Sequence, residues 1–197
     1  MCPLPIERIK PSPAFSNVAI DYFGPFAIKG EVQRRVRGKG YAILITCDVS
    51  RTVYVDLAPD YSTPSLLLAL RRFSSFRGWP SHITSDSGSQ LKSASVKLQE
   101  TIKSLDWKEL VKFRHQKGFK WNFSPADAPW YNGSVEALVK TVKRALSVTI
   151  GEHIFTFGEF LTVLFEVAEL VNEQPIGAKP ASPNDSSYLA PNDLLLG

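Results

Sequence analysis

The chain is poor in the side chains that build disulfide scaffolds, zinc sites and hydrolase triads. It holds two cysteines, Cys2 and Cys47, and three histidines, His82, His115 and His153, which share no ligand spacing. A disulfide framework and a Cys/His zinc module are both excluded. No histidine is paired in sequence with a serine or cysteine nucleophile, so a triad is unsupported. Long hydrophobic runs are missing too. None approaches the roughly 18 residues that span a bilayer, and the opening MCPLPIERIKPSPAF has no signal-peptide core. These absences predict a soluble, intracellular protein with no membrane partner.

Acidic residues are scarce over most of the length. Residues 1–150 carry 22 Lys/Arg against 12 Asp/Glu, whereas residues 151–197 carry 1 against 7. The basic charge gathers in 29–39 and 108–120. Such clusters suit a polyanion, nucleic acid first, although solvated loops give the same composition.

The chain's 197 residues suffice for one domain with an appendage. Residues 1–16, with four prolines, predict an extended lead-in; 17–150 predict the core; 151–197 predict an acidic helical extension and tail. VAIDYFGPF reads as a first strand closed by a turn at Gly24-Pro25, followed by a basic link. YAILITCD and RTVYVDLA continue an antiparallel meander around a hairpin turn at CDVSR, with Asp56 as the outward residue of its strand. Ser62-Thr63-Pro64 predicts the start of a helix over about 64–77. HITSD (82–86) predicts a fourth strand, 93–117 a basic helix, and FKWNF (119–123) a fifth strand. Strands alternating with helices imply parallel pairing added to the meander.

Near Asn132–Ser134 an amphipathic helix begins and runs to about Ile150. Val135, Leu138, Val139, Val142 and Leu146 form its apolar stripe, and Glu136, Lys140, Lys143 and Ser147 form a polar one. Thr156 and Glu159 predict a capping box for a helix ending near Asn172. The rest reads as loop up to the apolar LLLG.

Three acids stand where chemistry often sits: Asp21 inside the first strand, Asp86 at the end of the fourth, and Glu136 in the first turns of the amphipathic helix. A carboxylate in an apolar strand is costly to desolvate without a cation or donors beside it. Adjacent strands would bring Asp86 to Asp21, and a converging Glu136 would complete three hard oxygen donors. Such a set favours two magnesium ions, or manganese, and an in-line phosphoryl displacement. Taken singly, each acid also has an ordinary reading as a strand-end residue, a turn former or a helix N-terminal charge.

VAIDYFGPF, ITSDSGSQL and FSPADAPWYNGSVEALVKTVK resemble, in order, the three catalytic blocks of the retroviral-type integrase core in the ribonuclease H-like superfamily. With FKWNFSPADAPWYNG and YLAPNDLLLG, the resemblance is to integrases of BEL/Pao long-terminal-repeat retrotransposons. It implies an α/β fold whose mixed five-stranded sheet, an antiparallel meander plus parallel strands, is flanked by helices. It also implies Asp21, Asp86 and Glu136 as catalytic metal ligands and DNA as substrate. The implied activity is polynucleotidyl transfer: water trims a DNA 3′ end, and the freed hydroxyl attacks target DNA. Lys140, Lys143 and Arg144 would contact DNA, Asn132 and Gly133 would shape the loop entering the helix, and Ser87 and Ser89 would lie along the DNA path. The implied assembly is a homo-oligomer, reaching the nucleus at integration from a cytoplasmic particle. The chain resembles a core cut from a polyprotein or a domesticated remnant. A silent DNA-binding or assembly module, or a related nuclease, are the rival readings. The interval between Asp86 and Glu136 is longer than in retroviral enzymes, and Asp127 stands where a small or basic residue is expected.

Overall fold

The computed structural model describes residues 11–30, 37–85, 120–123, 133–151, 153–178 and 187–196. Strands β1 (Asn17–Lys29), β2 (Arg37–Cys47) and β3 (Val53–Ala58) form an antiparallel meander. The turn between β2 and β3 closes with Arg51 N–H donating to the Cys47 carbonyl at 3.0 Å. Arg51 takes φ 60° there, as the hairpin reading of CDVSR requires of a tight reversal. Helix α1 (Thr63–Arg77) then carries the chain across one face of the sheet. Ser62 caps its N-terminus, Pro64 occupies the first turn, and Gly78 at φ 81° ends it. That crossover allows β4 (His82–Ser85) to run parallel to β1, and β5 (Lys120–Phe123) parallel to β4. The resulting order is β3-β2-β1-β4-β5. This is the mixed five-stranded sheet expected from the alternation of strands and helices.

Side-chain alternation divides the core into two layers. Val18 and Ile20 face α1, where Leu66, Leu70 and Phe73 are at most 1% exposed. Ala19 and Phe23 face helices α2 (Gly133–Ile150) and α3 (Phe157–Asn172), which contribute Val139, Val142, Leu146, Leu164 and Val167. Each such large side chain contributes about 1.5–3 kcal/mol by leaving water.

Several details differ from the expectations. Gly24-Pro25 does not end β1. The strand runs on to Lys29 with a register shift between Phe23 and Phe26, where Gly24 takes φ 130° and the Gly24-Pro25 peptide is cis. Glycine tolerates that backbone, and a Cβ at Gly24 would meet the Gly40 carbonyl at 3.2 Å. Pairing then resumes with Gly40 and Lys39, so the basic link is shorter than expected, with Arg37 and Lys39 inside β2. Asp56 is buried rather than outward, 1% exposed, because Arg72 of α1 reaches it. The stretch after α3, expected as loop up to the apolar end, contains the pair β7 (Gly177–Ala178) and β8 (Tyr188–Leu189), and the apolar end forms the short α4 (Asp193–Leu196). β6 (Phe155–Thr156) adds a short parallel pairing to Ile28 and Lys29. The helix expected over 93–117 lies outside the described residues.

The capping box at α3 is as expected: Thr156 N–H donates to Glu159 Oε2 at 2.8 Å, and Glu159 N–H to Thr156 Oγ1 at 3.4 Å. At its far end, the Asn172 carboxamide pairs like a peptide with β3, the first strand in the sheet order. Val53 N–H donates to Asn172 Oδ1 at 2.8 Å, and Asn172 Nδ2 donates to the Val53 carbonyl at 2.9 Å. Asn172 is 4% exposed, so this edge is satisfied away from water. Replacing Asn172 with Ala leaves two buried backbone groups without partners and should cost about 1–3 kcal/mol. On the scaling for a chain of this size, Tm should fall by roughly 2–4 °C per kcal/mol. An unchanged melting temperature in calorimetry would contradict this account of the edge.

Candidate active site

Asp21 lies midway along β1, opposite Leu44 of β2, with its carboxylate half-buried. Its Oδ1 accepts the Tyr22 backbone N–H at 2.8 Å, which restrains the rotation of the carboxylate. By alternation it shares a sheet face with Ala19 and Phe23, the face on which α2 and α3 pack. On the other edge of β1, Ile20 pairs with Ser85, the last described residue of β4. Trp121 of β5 donates its indole N–H to Ser85 Oγ at 2.9 Å, and both side chains are buried. The end of β4 is thereby held immediately before the position of Asp86 in the chain.

Glu136 sits in the first turn of α2 and is exposed. Val135 and Val139 anchor that turn against the β1 face at 5% and 6% exposure. Asp21 and Glu136 therefore belong to one layer, a strand face and the helix that packs on it. Gly133 opens α2, as expected. Lys140 and Arg144 are exposed, and no ion pair joins Glu136 to Lys140 among the described residues. Lys143 is exposed as well, but its Nζ stands 5.7 Å from the centre of the Phe23 ring. Asp86, Ser87, Ser89, Asn132 and Asp127 lie outside the described residues, as does most of the basic stretch 108–120. Among the described residues no group of three metal-ligating side chains is assembled, and no helix is long and apolar enough to cross a membrane.

The opposite face of the sheet carries acids of another kind. Arg72 grips Asp56 with both arms, Nε to Oδ2 at 2.8 Å and a terminal nitrogen to Oδ1 at 3.0 Å. Leu57 N–H also donates to Oδ1 at 2.7 Å. This carboxylate is fully engaged within the fold and is structural. It holds the Arg72 guanidinium above its ordinary range, first through hydrogen bonding. Asp48 serves the hairpin turn, where its N–H donates to the Asn17 carbonyl. His82 is likewise structural, with Nδ1 3.1 Å from Asn17 Oδ1. Sequence reasoning did not single out Phe23, which shares a face with Asp21, or Trp121, which bonds Ser85 at the end of β4. The signal for Phe23 was available: it is two residues from Asp21 and therefore on the same face.

The chain is similar to a chain of the cryo-electron-microscopy structure of the simian T-cell lymphotropic virus intasome in complex with PP2A regulatory subunit B56 gamma. The TM-score is 0.62 at 14% identity, with 94% of this chain and 55% of that chain covered. The fold is ribonuclease H-like. This chain thus spans about half the length of the one it matches. No protein-family model matches it, and no curated protein matches it in sequence.

In this ribonuclease H-like frame Tyr22, next to Asp21, projects to the α1 side. Its ring meets Tyr61 at 4.5 Å, and its buried hydroxyl finds no hydrogen-bond partner among the described residues. Burial, then the neighbouring Tyr61, Asp60 and Asp56, push its phenol above the ordinary range. A phenol raised on folding contributes stability in full below its unfolded pKa and loses it as pH rises through the folded value. Tyr22→Phe removes the unpaired hydroxyl, so stability at neutral pH should hold or rise by about 1 kcal/mol. Urea unfolding should also show a flatter loss above about pH 10. A marked loss of stability at neutral pH would mean that the hydroxyl has a partner.

Proposed function

We propose that the protein is the catalytic core of a retrotransposon-type integrase of the BEL/Pao kind, performing divalent-metal-dependent DNA 3′-end processing and strand transfer. The observation that carries this reading is the shared layer of Asp21 and Glu136: one acid midway along the central strand, the other in the first turn of the helix on that face. Asp86 follows directly in the chain on Ser85, which pairs with Ile20, the neighbour of Asp21. The similarity to an intasome chain supports DNA as the partner and an oligomer as the working form.

The donor set fits two magnesium ions, or manganese, since three carboxylates offer hard anionic oxygens. Asp21, Asp86 and Glu136 would hold the ions. When bound, the ions supply positive charge that offsets the charge developing on the attacking and leaving oxygens. The chain's own residues do the rest. The rigid β1 backbone and the Tyr22 N–H aim the Asp21 carboxylate. Lys140, Lys143 and Arg144, on the exposed side of α2, hold phosphates and fix the DNA in line. Asn132 and Gly133 shape the entry to α2, and Ser87 and Ser89 line the strand path. Water is the nucleophile in end trimming, and the DNA 3′-hydroxyl is the nucleophile in strand transfer. No covalent bond to the protein is needed. Such an enzyme meets target DNA in the nucleus after assembling in a cytoplasmic particle.

Asp21→Asn, Asp86→Asn and Glu136→Gln keep side-chain shape but remove the charge. Each should reduce strand transfer on a short end-mimicking duplex to background, with the melting temperature retained. Transfer by Asp86→Asn at the parental rate would overturn the assignment. Duplex binding by the parental protein without any transfer in magnesium or manganese would favour a silent binding module.

A protein that joins two DNA ends also needs at least two copies. Sedimentation with duplex should therefore show a dimer or larger. A strictly monomeric particle with and without DNA contradicts this part of the proposal.

A further inference from the structure

The segment from Tyr188 to Leu196 passes from one layer of the core to the other around the end of the sheet. It starts in the β7–β8 pair, where Ile176 N–H donates to the Leu189 carbonyl at 2.8 Å. Ala190 and Pro191 are then buried. Thr52, fully buried at the β2–β3 turn, donates its hydroxyl to the Pro191 carbonyl at 3.4 Å. Asn192 N–H donates to the carbonyl of Asn172, the last residue of α3, at 3.1 Å. Three residues on, Leu195 is half-buried and packs on the cluster that α1 forms with the other face of the sheet.

The Asn192 side chain adds a second hold. Its carboxamide nitrogen donates to Glu169 Oε1 at 2.9 Å and to Glu173 Oε1 at 2.6 Å. Those acids stand four residues apart on α3, a spacing at which like charges repel, and one neutral donor serves both. The segment also seats Asn172, whose own carboxamide closes the edge of β3. Little apolar surface is committed in return: Tyr188 is 51% exposed, Leu194 is 41% exposed, and the bonds from the Asn192 carboxamide lie at the surface. Segments with few buried apolar contacts and solvent-exposed hydrogen bonds open at a lower free energy than the core.

We propose that Tyr188–Leu196 is a conformational clamp that opens as a unit while the sheet stays folded, with Asn192 as its latch. Closed, it ties the end of α3 to the β2–β3 turn and to the α1 layer. Open, it releases Asn172 and unseals the edge of β3 at Val53. The clamp involves none of the candidate catalytic acids, so it stands or falls independently of the proposed function.

The test is native-state hydrogen exchange of the full chain in increasing, sub-denaturing urea. The amides of Ile176, Asn192 and Val53 should exchange through one shared opening, faster than the amides of β2 and with a shallower urea dependence, because the opening exposes little surface. Asn192→Asp keeps the backbone bond but sets a third carboxylate beside Glu169 and Glu173. It should speed exchange at Ile176 and Val53 by at least about tenfold, the effect of losing a hydrogen bond to a charged group. Asn192→Ala removes the carboxamide without adding charge and should act in the same direction with a smaller effect, which preserves the test if Asn192→Asp does not fold. Leu195→Ser, at the other end of the clamp, should also speed exchange at Ile176. Exchange of Ile176 and Asn192 only together with β2, at the same urea dependence, overturns the proposal. So does a parental rate at Ile176 in the Asn192 or Leu195 variants, and a Val53 amide that follows β2 overturns the unsealing of the edge.

Discussion

The candidate site depends on a half-buried carboxylate, Asp21, set beside the buried first stretch of β1. Val18, Ala19 and Ile20 precede Asp21, Phe23 follows it, and all four are at most 4% exposed. An ionised group there loses much of its hydration, and the loss is tolerated only where donors or cations replace water. The Tyr22 N–H supplies one donor. The sheet supplies rigidity, with β2 antiparallel on one edge of β1 and β4 parallel on the other. The neighbouring helix supplies a second acid, Glu136. A strand with pairing on both edges cannot slip by one residue without turning its whole apolar set to the wrong face. Asp21 is therefore fixed in direction by the same packing that makes its charge expensive.

A contrast with Asp56 sharpens the point. Both acids lie in the meander, and Asp56 is the more deeply buried, but its oxygens are taken up by Arg72 and the Leu57 N–H. Asp56 answers its desolvation within the fold and contributes to holding α1 on the sheet. Asp21 sits on the opposite face, the one on which α2 and α3 pack. The two faces of one sheet thus separate a structural carboxylate from a candidate catalytic one. Side-chain alternation along β1 and β3 achieves this without any long-range device.

Much of this was legible in the sequence because it depends on local chemistry. The β-branched runs mark β2 and β3, Ser62-Thr63-Pro64 marks the start of α1, and the Thr156/Glu159 capping box marks the start of α3. The stripes of α2 separate buried Val135, Val139, Val142 and Leu146 from exposed Glu136, Lys140 and Lys143. What escaped depends on tertiary partners. Gly24-Pro25 signals a turn, but Gly24 lacks the Cβ that would meet the Gly40 carbonyl, and the strand bulges and continues. Asp56 alternates with apolar neighbours like an outward residue, until Arg72 arrives from a helix sixteen positions later. Asn172 reads as a helix terminator, although its carboxamide closes the edge of β3. Lys140 and Lys143 share one stripe, and only the position of Phe23 distinguishes them.

The central claim is that Asp21, Asp86 and Glu136 share one pair of divalent ions. The most direct measurement is anomalous diffraction from crystals grown or soaked with manganese. The account predicts two anomalous peaks about 4 Å apart, held by Asp21, Asp86 and Glu136. Manganese bound elsewhere, or a crystal saturated in manganese with no peak at Asp21, would contradict it.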